Sequence, residues 1–230
     1  MNIIVTGASS GIGFELVRLF CQDKNHKVIA IARNEDKLHQ LNLLCNQSNM
    51  FPVPFDITET DMSGLTADIT SIFTQVDIVI NNAGLLINKP FLTLRQEDWQ
   101  QIFEVNVFGV ARFLQLLYPF LNREGSHVVN IGSMGGFMGS SKFPGLSAYS
   151  SAKAALAVLS ECLAEEWKDE GIKVNCLALG AVQTEMLATA FPDYKAPLQA
   201  EDIAKWIAHF ALNGHCYFNG KVIPVSLDTP

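Results

Sequence analysis

The sequence predicts a doubly wound α/β fold, a parallel sheet of about seven strands with helices on both faces. Three observations carry this expectation. Short β-branched runs alternate with longer helical patterns from one end to the other. A glycine-rich turn joins the first of these runs to the first helix. One run also holds two prolines two residues apart, which only a sheet edge accommodates.

Strands are expected at Asn2 to Thr6, Lys27 to Ala32, Met50 to Phe55, Val76 to Asn81, His127 to Ile131, Lys173 to Leu177 and Lys221 to Val225. Helical patterns between them include Gly13 to Lys24, Asp98 to Leu121, Tyr149 to Glu170 and Ala200 to Leu212. Such alternation implies βαβ units, whose right-handed crossovers wind the sheet in both directions. In Met50-Phe51-Pro52-Val53-Pro54-Phe55 the two prolines lie at i and i+2. Amides at that spacing point to the same side, so both missing donors fall on one edge. In the strand order 3-2-1-4-5-6 the third strand is that edge. No linker, low-complexity tract or repeat divides residues 1–230, so one domain is expected.

Composition excludes several function classes. A hydrophobic share of 49% and a charged share of 17% supply a core and rule out a disordered chain. No apolar run reaches the roughly 18 residues of a membrane span. Met1 leads straight into Ile3-Ile4-Val5 without a basic segment or cleavage site, so a cytoplasmic protein is expected, without a membrane partner. The net charge of −7 and the lack of a Lys/Arg-rich stretch argue against a nucleic-acid partner. Cys21, Cys45, Cys162, Cys176 and Cys216 show no CxxC spacing and suit reduced thiols in a core. The five histidines are dispersed, and no metal site is expected.

An anionic cofactor would then need locally placed donors. The first strand runs into Thr6-Gly7-Ala8-Ser9-Ser10-Gly11-Ile12-Gly13 and directly into a helix. Glycines allow a tight turn and close approach to a pyrophosphate, and the helix N-terminus offers free N–H groups and a favourable dipole. This is the Rossmann-like arrangement for a dinucleotide, although the spacing is GxxxGxG rather than GxGxxG. A glycine-rich turn without ligand is the plainer alternative. The second strand ends Ala30-Ile31-Ala32-Arg33-Asn34, with Arg33 at 20 positions beyond Gly13 and no carboxylate at the tip. An Arg suits a 2′-phosphate where an acid would hold a 2′-hydroxyl, so NADP is favoured, with NAD possible. Glu35 and Asp36 nearby leave a solvated surface Arg as the other reading.

Tyr149 and Lys153 open an Ala-rich helix at a spacing of four, which puts them on one face. A nearby ammonium favours the phenolate and is expected to lower the Tyr pKa towards a useful range. Ser133 ends the fifth strand, and the carboxyl ends of parallel strands are where this architecture binds ligands. A hydroxyl, a phenol and an ammonium could thus meet at a carbonyl oxygen.

These elements, in this order, resemble the single-domain branch of the short-chain dehydrogenase/reductase family: TGASSGIG at 6–13, Asp56 after the third strand, NNAG at 81–84, Asn106, Ser133, then Tyr149 with Lys153. The resemblance covers residues 2 to about 187. It implies a hydride exchange between a nicotinamide dinucleotide and a small carbonyl or alcohol. Tyr149 would be the general acid/base, with Lys153 tuning it and holding the nicotinamide ribose. Ser133 would polarise the carbonyl, and Asn106 would position Lys153 through a water. Cofactor contacts are implied for Gly7, Ser9, Ser10, Gly11, Ile12, Gly13, Arg33, Asp56, Ile57, Asn82, Ala83, Gly84, Tyr149, Lys153, Gly180, Val182 and Thr184. The two long helices resemble those with which the family forms homodimers and homotetramers.

Three departures stand out. The Pro-Gly usual after the sixth strand reads Leu179-Gly180, which leaves the stiffness of that turn open. Ser133 and Tyr149 are 16 positions apart, with extra residues around Gly139 to Lys142. The segment over the substrate is short, which suggests an open pocket walled by Leu85, Leu86, Met134, Phe137 and residues 185–197. A non-catalytic dinucleotide sensor is the alternative of a different class, against which the intact Asn106, Ser133, Tyr149 and Lys153 count. An epimerase or dehydratase is the third, disfavoured by the glycine spacing and by the lack of a sizeable second domain.

Overall fold

A computed structural model describes residues 1–45 and 48–227. Seven parallel strands form the main sheet in the order β3-β2-β1-β4-β5-β6-β9. They are β1 (Asn2–Thr6), β2 (Lys27–Ala32), β3 (Met50–Pro54), β4 (Ile78–Asn81), β5 (His127–Ile131), β6 (Lys173–Leu179) and β9 (Val222–Val225). Two further strands, β7 (Val182–Gln183) and β8 (Leu198–Gln199), make a small parallel pair of their own. The fold class is therefore the expected doubly wound sheet, with β3 at its edge.

The proline argument holds at the level of single bonds. The Phe55 N–H donates to the Ala32 carbonyl at 3.0 Å, and the Val28 N–H to the Asn49 carbonyl at 2.8 Å. That phase turns the odd-numbered amides of β3 towards β2. Pro52 and Pro54, which pair with Ala30 and Ala32, therefore face open solvent with their missing donors.

Side-chain alternation splits the core into two layers. Ile3, Val5, Val28 and Ala30 pack under helices α1 (Gly11–Cys21), α2 (Glu35–Leu44) and α8 (Ala200–Asn213). Ile4, Ile29, Ile31 and Val79 point to the opposite layer, with α3 (Ser63–Ile72), α5 (Gly109–Leu117) and α6 (Ser147–Glu166). Burial on both faces explains why β1 and β2 are nearly continuous apolar runs. Each fully buried Ile contributes about 1.5–3 kcal/mol.

The segment expected as one helix from Asp98 to Leu121 is broken. It comprises α4 (Gln96–Phe103), a π-helical stretch over Glu104–Phe108 and α5, followed by a 3₁₀ turn at Tyr118–Phe120. The π register is marked by the Gly109 N–H, which bonds back five residues to the Glu104 carbonyl. Gly109 is needed there, because a Cβ would lie 2.6 Å from the Ile57 carbonyl oxygen. Helix α6 starts two residues before Tyr149, at Ser147, and ends at Glu166. Among the described residues no helix is long and apolar enough to cross a membrane. Of the five free thiols, Cys21, Cys45 and Cys176 are buried, whereas Cys162 and Cys216 are exposed rather than in the core.

Candidate active site

A cleft of about 1390 Å³ runs along the carboxyl ends of the strands. At one end lies the glycine turn. Gly7 and Gly11 adopt left-handed backbone (φ 68° and 55°), which favours glycine. Gly13 is required for a different reason. A Cβ there would sit 2.3 Å from the Gly7 carbonyl oxygen and 2.5 Å from Asn82 Nδ2.

Asn82 in turn clasps the loop, because its Nδ2 donates to the carbonyls of Thr6 (3.1 Å) and Gly7 (3.2 Å). The N–H groups of Asn82 and Ala83 both donate to Thr6 Oγ1 at 3.1 Å. Ser10 is the N-cap residue of α1, and its side chain makes no cap bond. The first amides of α1 are thus not taken by that hydroxyl. This cradle of small residues and available donors fits a dinucleotide pyrophosphate.

Arg33 lies on the rim, its side chain 76% exposed and Nη1 3.6 Å from Asp56 Oδ2. Asp56 also accepts from the N–H and Oγ1 of Thr58. Asn34 faces away, as its side chain caps α2 by accepting from the Lys37 N–H at 2.9 Å. The tip of β2 therefore presents a cation and no carboxylate.

At the reacting end, Ser133, Tyr149 and Lys153 share one wall of the cleft. Ser133 Oγ accepts from the Gly135 N–H at 3.1 Å, which fixes the hydroxyl. The Ser133 hydroxyl also lies close enough to Tyr149 to favour its ionised form. Lys153 Nζ donates to the Ile131 carbonyl at 2.8 Å and lies 5.9 Å from the Tyr149 ring centre. Burial pushes the Tyr149 phenol up to about 12, and the nearby Ser133 hydroxyl acts in the opposite sense. Burial pushes the Lys153 ammonium down to about 8, against the opposing influence of Cys176.

The expectation that Lys153 lowers the phenol is thus not met in this geometry. The ammonium is directed at a carbonyl, and taking both groups out of water disfavours either charge. A consequence for stability follows. Folded Lys153 loses its proton near pH 8, while the unfolded side chain keeps it to about 10.5. In that window the unfolded chain binds the extra proton, so stability rises with pH; above 10 the raised Tyr149 pKa opposes it. Between about pH 7.5 and 9.5 the native chain should gain on the order of 2 kcal/mol relative to Lys153→Met. Urea unfolding of both proteins at the two pH values measures this, and a constant difference would refute it.

Asn106 sits in the π-helical stretch and is fully buried. Its Nδ2 donates to the carbonyls of Leu85 and Ile102, each at 2.8 Å, and its Oδ1 accepts from the Leu85 N–H at 3.4 Å. A Cβ built on Gly84 would lie 3.2 Å from Asn106 Oδ1 and 3.5 Å from Lys153 Nζ. The two polar atoms therefore face one small space beside Gly84, and a π-bulge at such a point is a common mark of function.

Most residues singled out from the sequence line this cleft: Gly7, Ser9, Ser10, Gly11, Ile12, Arg33, Asp56, Ile57, Asn82, Ala83, Gly84, Ser133, Tyr149, Lys153, Gly180, Val182 and Thr184. Gly13 and Asn106 do not; they lie behind it. Leu179 is the last residue of β6 and is buried, and the turn after it is held by the Gly180 N–H donating to the Val225 carbonyl at 2.9 Å. Leu85, Leu86 and Met134 line the substrate end as expected, but Phe137 does not, and Phe143 does. The extra residues form an exposed bulge in which Lys142 Nζ donates to the Phe137 carbonyl at 2.7 Å. That bond helps hold the bulge back.

Gln100, Gln101, Glu104 and Phe108 on the cleft wall were not anticipated from the sequence. Glu104 and Phe108 lie in the π-helical stretch, where the α-helical period no longer tells which side chains share a face. Among the described residues no three His, Cys, Asp or Glu side chains gather as for a metal.

A doubly wound sheet with a glycine cradle and this polar triad defines a dinucleotide-dependent oxidoreductase, and comparison with known proteins agrees. The chain belongs to the short-chain dehydrogenase family, whose profile matches residues 1–195. It is 30% identical over 224 residues to an uncharacterized oxidoreductase of Staphylococcus aureus strain MW2, covering 96% of this chain and 95% of that one. It is 28% identical to the 3-oxoacyl-(acyl-carrier-protein) reductase of Chlamydia trachomatis serovar D, covering 96% and 94%. Among solved structures, the 3-ketoacyl-(acyl-carrier-protein) reductase of Brucella melitensis complexed with NADH superimposes with a TM-score of 0.86 at 23% identity, covering 98% and 96%. A dehydrogenase/reductase of Sinorhizobium meliloti 1021 gives 0.84 at 22%, covering 98% and 93%.

Proposed function

We propose that this chain works as a single-domain, NADP-dependent carbonyl reductase, and in reverse as an alcohol dehydrogenase. The observation that carries the reading is the meeting of Ser133, Tyr149 and Lys153 on one wall of the cleft that the glycine turn closes at its other end. A bound reduced nicotinamide would supply the hydride. Ser133 and Tyr149 would hold the substrate oxygen, and Tyr149, protonated at neutral pH by virtue of its burial, would give that oxygen its proton. Lys153, charged below about pH 8, would hold the ribose hydroxyls and ease the loss of the phenolic proton. Asn106 would fix a water against Lys153 in the space beside Gly84, as the route of proton resupply.

The apolar substrate wall suits ketones and acyl compounds. Because two relatives reduce 3-oxoacyl carriers by name, 3-oxoacyl thioesters belong in the test panel. Loss of NADPH absorbance with any carbonyl of that panel supports the reading. Tight dinucleotide binding with no turnover across it would favour a sensor instead.

The preference for NADP rests on Arg33. Its exposed guanidinium can fold onto a 2′-phosphate, exchanging a loose 3.6 Å contact with Asp56 for a charge-assisted pair. NADPH should bind on the order of tenfold or more tightly than NADH, and Arg33→Ala should erase most of the difference. Fluorescence titration with both cofactors measures it. Equal dissociation constants in the native chain would overturn the assignment.

A further inference from the structure

Helix α7 (Glu185–Ala190) borders the cleft, and none of its residues is buried. Met186, Leu187 and, just beyond the helix, Phe191 line the cleft. A segment with so little core of its own depends on a few polar attachments. At its start Lys37 Nζ lies 3.1 Å from Glu185 Oε2, an exposed pair that solvent screens.

At its end the attachment is a neutral hydrogen bond, also on the exposed surface, that salt does not screen. Asn88 Nδ2 donates at 2.9 Å to the carbonyl of Ala190, one of the helix-terminal carbonyls that lack an intrahelical partner. The same side chain touches a third segment. Gly145 has φ 84°, and a Cβ on it would lie 1.9 Å from Asn88 Oδ1. The Lys89 N–H donates to the Gly145 carbonyl at 3.0 Å, and Lys89 is itself anchored at 2.6 Å on the buried Asp98. Asn88 thus stands where the loop of Leu85 and Leu86, the approach to Tyr149 and the end of α7 meet.

We propose that Asn88 is a positioning residue, the latch that holds α7 at the substrate end of the cleft. It acts through the Ala190 carbonyl and never touches substrate. The inference rests on the carbonyl-reductase reading for its kinetic consequence, but not for its structural one. Asn88→Asp is the informative variant, because it keeps size and the acceptor facing Gly145 while replacing the donor by a carboxylate oxygen that repels Ala190.

Two measurements test it. Amide hydrogen exchange should accelerate on the order of tenfold at Ala188 and Phe191, whose N–H groups bond to Thr184 and Leu187, with α1 and α6 unchanged. With a carbonyl that the native chain reduces, KM should rise several-fold and kcat change by less than about twofold. Asn88→Gln, which restores a donor, should recover part of both. Unchanged exchange at 185–191 overturns the latch, and so does acceleration spread evenly over the molecule. If no carbonyl is turned over by the native chain, the functional reading falls while the exchange result still decides the latch.

Discussion

Tyr149→Phe should lower turnover by a factor on the order of 10² or more while leaving dinucleotide affinity within about twofold. The substitution deletes one oxygen and keeps the ring that fills the buried space at the start of α6. What is lost is the proton held on the phenol, whose pKa burial raises to about 12. The same elevation makes the group a donor at neutral pH, so alcohol oxidation, which needs the phenolate, should climb with pH beyond 9 while reduction does not. Steady-state rates of the two proteins in both directions check this. Near-native turnover by the variant would remove Tyr149 from the chemistry.

Gly13→Ala should abolish useful cofactor binding. The added methyl would stand 2.3 Å from a backbone oxygen and 2.5 Å from the amide of Asn82, neither of which can swing away without opening the turn. Overpacking of this kind costs about 1–3 kcal/mol of stability. The larger effect is on the cradle, because Asn82 would have to release the carbonyls of Thr6 and Gly7. We expect dinucleotide affinity to fall on the order of 10²-fold, about 2.7 kcal/mol. Circular dichroism establishes that the variant is folded, and titration with NADPH then measures the loss. Native affinity in a folded Gly13→Ala chain would mean that the turn does not carry the cofactor.

The strand order and the pairing of Tyr149 with Lys153 were legible from local rules, whereas most of the cofactor-cleft lining was legible only through the family resemblance. Two prolines at i and i+2 define an edge, and Tyr and Lys at i and i+4 share a helix face. What escaped depends on contacts distant in sequence. The break at Glu104–Phe108 ends at Gly109, which packs on the backbone of Ile57, 52 positions away, a contact that no periodicity reveals. The raised phenol pKa arises from burial, which a motif does not encode. Asn88 meets Ala190 across 102 positions and carries no signature of its own. Phe137 and Phe143 look alike in the sequence, and only the path of the bulge puts the second, not the first, on the cleft.

The prolines have a consequence beyond strand order. The opposite margin of the sheet, β9, pairs with β6 through the Cys176 and Gly180 N–H groups, which donate to the carbonyls of Lys221 and Val225. This phase turns Pro224 outward, as Pro52 and Pro54 are turned at β3. Each margin therefore lacks donors where an incoming chain would seek them, a common defence against sheet-to-sheet aggregation. Copies of this protein crowded together cannot readily extend one another's ladders. Whatever self-association they undergo must be written in side chains, where selection can tune it residue by residue.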